Sequence, residues 1–138
     1  MTNEQFEAIV AEEFPRAIPE KFQSLIRNVA FVVEDEPSPE VREEEGLGAG
    51  ETLLGFYRGV PTTARGDLYG IGNVLPDCII LYRLPIEEEA RFLCSQSAVL
   101  PEEAVRRVVR ETIWHEVAHH FGMDEHEVQR REDERSSQ

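Results

Sequence analysis

Apolar positions along the chain change their period several times, and each change marks an element. Phe6, Ile9, Val10 and Phe14 recur at three- and four-residue spacing behind Thr2-Asn3. That spacing predicts a capped helix, with Pro15 as its end. Beyond Pro19 the spacing returns in Phe22, Leu25 and Ile26 and predicts a second helix. Val29-Ala30-Phe31-Val32-Val33 is short, rich in β-branched residues and followed by acidic residues, a strand signature. Leu53 to Tyr57 is a second strand candidate, and Cys78 to Arg83, closed by Pro85, is the clearest of the three. Ile86 to Gln96 reads as helical. A last helix opens at Pro101, followed by Glu102 and Glu103, and stops at Gly122.

Between these elements the polar stretches read as connections. Glu34 to Glu51 holds two acidic runs, prolines and glycines with little to bury, so residues 34–51 are expected to form an exposed acidic loop. Arg58 to Pro76 is rich in glycine and reads as a loop, and the tail 129–138 is expected to fray. Helices at both ends around a few short strands predict an α+β fold, with residues 1–138 forming one domain and no internal repeat.

Charge and composition narrow the function classes. With 14 Lys+Arg against 28 Asp+Glu the formal net charge is −14, a field that repels phosphate backbones and argues against nucleic acid as a partner. No apolar run reaches the roughly 18 residues of a spanning helix, so no membrane partner is expected. Met1 to Phe6 lacks the basic and apolar regions of a signal peptide, so a cytoplasmic location is expected, with a monomer as the default state. Cys78 and Cys94 are too few for a disulfide framework and read as buried thiols.

All four histidines, His115, His119, His120 and His126, fall in one short stretch, and His115-Glu116-Val117-Ala118-His119 is an HExxH motif. Helix positions four apart differ by about 40° in direction, so both imidazoles leave one face and can take two corners of a tetrahedral zinc site. Glu116, beside them, is placed to take a proton from a water at the metal. The surrounding residues Val105, Val108, Val109, Ile113, Trp114, Val117, Ala118 and Phe121 predict a buried central helix. Two histidines buried on it would each need a polar partner, and one metal would serve both. The competing bland reading is a pair of core histidines hydrogen-bonded to carboxylates. Gly122 then lets the chain turn, delivering Asp124, Glu125 and His126, each a capable ligand. His120 lies on another face and is expected to be a supporting or surface residue.

The stretch His115 to Glu125 resembles the HExxHxxGxx(D/H) signature of metzincins. It is more closely similar to the short bacterial family of minimal zincin-like metallopeptidases, in which HE-x-x-HHFG precedes an acidic cluster. Upstream, Leu54-Gly55-Phe56-Tyr57-Arg58-Gly59-Val60-Pro61 resembles that family's LG-x-Y-x-G-x-P stretch. Leu75-Pro76-Asp77-Cys78-Ile79-Ile80-Leu81-Tyr82-Arg83 resembles its LPD-x-I-x-LYR strand. The gluzincin pattern would place a third ligand on Ser137 or Gln138. The full metzincin pattern would need a histidine at 125, where Glu125 stands, and a later methionine, whereas none follows Met123.

The resemblance implies a short sheet packed on an active-site helix and a zinc ion (Zn2+) held by His115, His119 and Glu125, with Asp124 and His126 as alternatives for the third ligand. It further implies hydrolysis of a peptide or protein substrate, with Glu116 as the catalytic base. The strand Ile79 to Tyr82 is expected beside the cleft, where it could pair with an extended peptide, and Tyr69, Tyr82 and Arg83 are candidate substrate contacts. Two other readings compete: a closed four-ligand zinc site that only stabilises the fold, and a metal-free binding module using the acidic loop 34–51.

Overall fold

The computed structural model describes residues 1–26, 28–59 and 76–122. Helix α1 (Asn3–Ala17) begins with a capping box: the Gln5 backbone N–H donates to Thr2 Oγ1 at 3.1 Å, and the Thr2 backbone N–H donates to Gln5 Oε1 at 2.8 Å. Pro15 does not end this helix, contrary to expectation. The stop lies at Ile18, whose backbone is extended because Pro19 disfavours the helical region for the residue before it. The expected second helix is a 3₁₀ helix (Glu20–Ile26), opened by the Phe22 N–H donating to the Pro19 carbonyl at 2.8 Å.

Three strands follow: β1 (Val29–Glu34), β2 (Gly55–Arg58) and β3 (Asp77–Tyr82), arranged in the order β1-β3-β2. β1 runs parallel to β3, with Val29 opposite Asp77 and Glu34 opposite Tyr82. β2 is antiparallel to β3, with Gly55 opposite Leu81 and Arg58 opposite Cys78. β3 is therefore the central strand and both its edges are already paired. The expectation that Ile79 to Tyr82 could add a peptide strand fails on this geometry, and the edge near the later helices belongs to β2.

Residues 34–51 are not simply a loop. Ser38 Oγ accepts from the Val41 N–H at 3.2 Å, Pro39 sits in the first turn, and helix α2 (Pro39–Glu44) follows with Val41 buried. Two buried residues, Pro37 and Val41, and a serine cap fold this otherwise solvated segment. The next correction concerns Pro85, which stands inside the first turn of helix α3 (Arg83–Gln96) instead of closing a strand. There its missing N–H has no helical partner to lose.

The last helix, α4 (Pro101–His120), carries the bulk of the core. Val105, Val108, Val109, Ile113, Trp114, Val117 and Ala118 pack with Phe6, Ile9 and Val10 of α1, Ile79 and Leu81 of β3, and Ile86 and Ala90 of α3. Alternation on β1 turns Val29, Phe31 and Val33 to this core while Ala30, Val32 and Glu34 stay exposed. The result is an α+β fold in which a three-stranded sheet lies against helices. No helix among the described residues is long and apolar enough to cross a membrane.

β2 approaches α4 unusually closely at one residue. A Cβ on Gly55 would lie 2.8 Å from Thr112 Cγ2 and 3.0 Å from the Ile80 carbonyl oxygen. The side chain is absent because the sheet and the helix leave no space for one.

Candidate metal and catalytic site

α4 opens with Pro101 in its first turn and Glu102 and Glu103 beside the positive helix end. It closes where the Phe121 N–H reaches the Val117 carbonyl and the Gly122 N–H reaches the His119 carbonyl, both at 3.1 Å. Gly122 has φ 81°, the left-handed conformation that glycine adopts without steric cost. The HExxH residues thus occupy the final turns of a helix whose opposite faces are fixed in the core.

His115 and His119 project together, their ring centroids 4.7 Å apart. Both are exposed, so the argument that buried histidines need a metal to satisfy them does not apply here. The same exposure disposes of the core-histidine alternative. What remains is a pair of imidazoles one turn apart on a rigid support, the donor set that suits zinc. Among the described residues no third His, Cys, Asp or Glu completes a metal-holding group with them. Asp124, Glu125 and His126 lie outside the described residues, as do Tyr69 and the tail.

Glu116 differs from its neighbours in being half-buried. Burial pushes its carboxyl up to about 7, the His115 ring partly offsets this, and Glu45 beyond the end of α2 adds to it. A carboxyl that exchanges its proton near neutral pH is suited to accepting and returning one during hydrolysis. The residues open onto a cleft of about 500 Å³ between α4, α3 and the chain entering β2, with His115 and Glu116 in its wall.

His120 points away from that pair. Its ring stacks on Tyr57 of β2 with centroids 3.9 Å apart and planes 20° apart, and its Nε2 lies 3.8 Å from Asp77 Oδ2. The Tyr57 hydroxyl donates to the same Asp77 oxygen at 2.7 Å. A Cβ on Gly59 would sit 3.0 Å from His120 Cε1, so the glycine leaves room for the ring. The cluster joins the end of the HExxH helix to the first residue of β3 and to β2. Tyr57 and Asp77 had no assigned role in the sequence, although both fall within the stretches that carried the resemblance.

Two other candidates prove to be structural. The Tyr82 ring is wholly buried, its hydroxyl has no hydrogen-bond partner among the described residues, and burial pushes the phenol up to about 12. Arg83 donates from Nε to Asp35 Oδ1 at 3.1 Å, and from Nη1 to the Met1 carbonyl at 3.0 Å and to Glu87 Oε2 at 3.1 Å. That fork holds α1, α3 and the end of β1 together.

The family model described as Zincin-like metallopeptidase matches residues 26–135. No curated protein matches the chain. The match takes in β1, the sheet, α3 and the whole HExxH helix, most of the molecule, and so the chain belongs to the zincin-like metallopeptidase family.

Proposed function

We propose that the chain is a zinc-dependent peptidase of one domain, 1–138, with His115, His119 and Glu125 holding the metal and Glu116 as the catalytic base. The observation that carries this reading is the pairing of two exposed imidazoles 4.7 Å apart with a half-buried carboxyl, raised to about 7, on the next helix position. Zinc, when bound, supplies the positive charge that acidifies a water and polarises the scissile carbonyl. The protein's own part is positional and protonic. α4 holds the two rings on one rigid face, with the cleft beside them to seat the peptide. Glu116 takes the proton of the attacking water and returns it to the leaving amine. An extended substrate would lie along the β2 edge, since Thr52 to Gly55 share the cleft wall with His115 and Glu116.

Glu116→Gln tests the proposal against a purely structural zinc site. The variant is expected to keep about one zinc per chain and to lose peptide hydrolysis by roughly 10² to 10⁴. His119→Ala is expected to lose the metal, and alanine at 125 to weaken zinc more than alanine at 124 or 126. Wild-type turnover in the Glu116→Gln protein, or zinc retained in full by His119→Ala, would refute the assignment.

A further inference from the structure

The cleft extends well beyond the HExxH residues, and its lining is sorted by depth. Arg107, Glu111 and His115 follow each other at intervals of four along the exposed strip of α4 and all border it. At 1.5 Å per residue the strip from Arg107 to His115 is about 12 Å long, the length of roughly three to four extended residues. Leu54, Leu93, Val108 and Thr112 are among the more buried lining residues, whereas Glu89, Arg107 and Glu111 stand exposed. Arg107 Nε lies 3.1 Å from Glu111 Oε1, so those two charges compensate each other. Glu89 makes no ion pair or hydrogen bond among the described residues and leaves the outer wall negative, in a chain of net charge −14.

Val108 lies seven positions, about 10 Å, along α4 from His115. We infer that this cleft selects peptides carrying a bulky aliphatic or aromatic side chain about three residues from the cleaved bond, next to a basic residue that meets Glu89. The inference rests on the peptidase reading of the same site and names its substrate class. Leu54, Leu93 and Val108 offer an apolar bed that a large side chain covers and a small one leaves wet. Glu89 attracts lysine or arginine at the outer end and repels acidic residues, and the negative field of the whole molecule acts in the same sense.

The test is a titration of the zinc-loaded Glu116→Gln protein with acetyl-Gly-Ala-Ala-Leu-Lys-Ala-Ala-Gly-amide, followed by shifts of leucine and valine methyl signals. Matched peptides carry Ala for Leu or Glu for Lys. The leucine peptide is expected to bind about tenfold more tightly than the alanine one. Shifts should fall on Leu54, Leu93 and Val108. The exposed Glu89→Lys substitution should reverse the preference for Lys over Glu without touching the fold. Equal binding of the three peptides, shifts confined to another surface, or an unchanged preference in Glu89→Lys would overturn the inference. Cleavage by the wild-type chain is measured in parallel. Selective binding without cleavage upholds the cleft's selectivity and removes the peptidase reading. Cleavage without selectivity does the opposite, and neither binding nor cleavage removes both.

Discussion

Burial of one carboxyl weakens the fold near neutral pH. Glu116 has a folded value of about 7 against an ordinary value of 4.5. Between those values the folded chain keeps a proton that the unfolded chain releases, so stability falls as pH rises through the window and stays low above it. Without metal, Glu116→Gln is therefore expected to be more stable than wild type at pH 8, on the order of 2 kcal/mol. The gain should fade below about pH 4.5. Urea unfolding in chelator at both pH values measures it, and a less stable variant at pH 8 would contradict the burial argument. The HExxH residues themselves were legible because helical spacing alone puts His115 and His119 on one face. The proton affinity of Glu116 was not, since burial and Glu45, some seventy positions away in the chain, set it. Nor was the stack of His120 on Tyr57, which exists only because β2 lies against the end of α4.

Among the elements, the joint between β2 and α4 fixes the width of the cleft. Gly55→Ala would place a methyl against Thr112 Cγ2 and the Ile80 carbonyl. The cost is expected to be about 1–3 kcal/mol, as for other overpacked contacts. Thr112→Ser removes the opposing methyl, so the double variant should recover part of that loss. A thermodynamic cycle from four denaturation curves reads the coupling, and strict additivity of the two changes would exclude the contact. Element types were largely readable: α1, the three strands, α3 and α4 all lie where periodicity placed them. The prolines misled as boundaries. Pro15 lies near the end of α1, where only a short stretch of helix remains beyond it, and Pro85 in the first turn of α3, where proline costs least. α2 was missed because one buried residue, Val41, gives no periodic signal.

At the scale of the molecule, Glu13 ties the first helix to the last. Its side chain is wholly buried and accepts from Arg110 at 2.8 Å and Arg106 at 2.9 Å. Burial alone would raise its carboxyl, but the hydrogen bonds from Arg110 and Arg106 outweigh it and hold the group below the usual 4.5. The depressed value gives stability that is present above about pH 4.5 and lost as the pH falls through the folded value. Glu13→Gln is expected to cost roughly 2 kcal/mol at pH 7, because both arginines keep other carboxylate partners. The difference from wild type should narrow in acid. Thermal unfolding of both proteins from pH 7 to pH 3 measures this, and a constant gap would mean that Glu13 is not ionised in the fold. The same contact has a consequence in time. Glu13 meets Arg106 and Arg110 across 93 and 97 positions of sequence, and β1 reaches its partner β3 across a long parallel connection. Contacts so distant along the chain form late, because closing the intervening loop costs entropy before any contact repays it. During synthesis α1 has no α4 to dock on until that helix has left the ribosome, so the histidine face is completed only after it. If zinc binds as proposed, its uptake during refolding is expected to lag behind helix formation, so that the metal reports the finished fold and does not nucleate it.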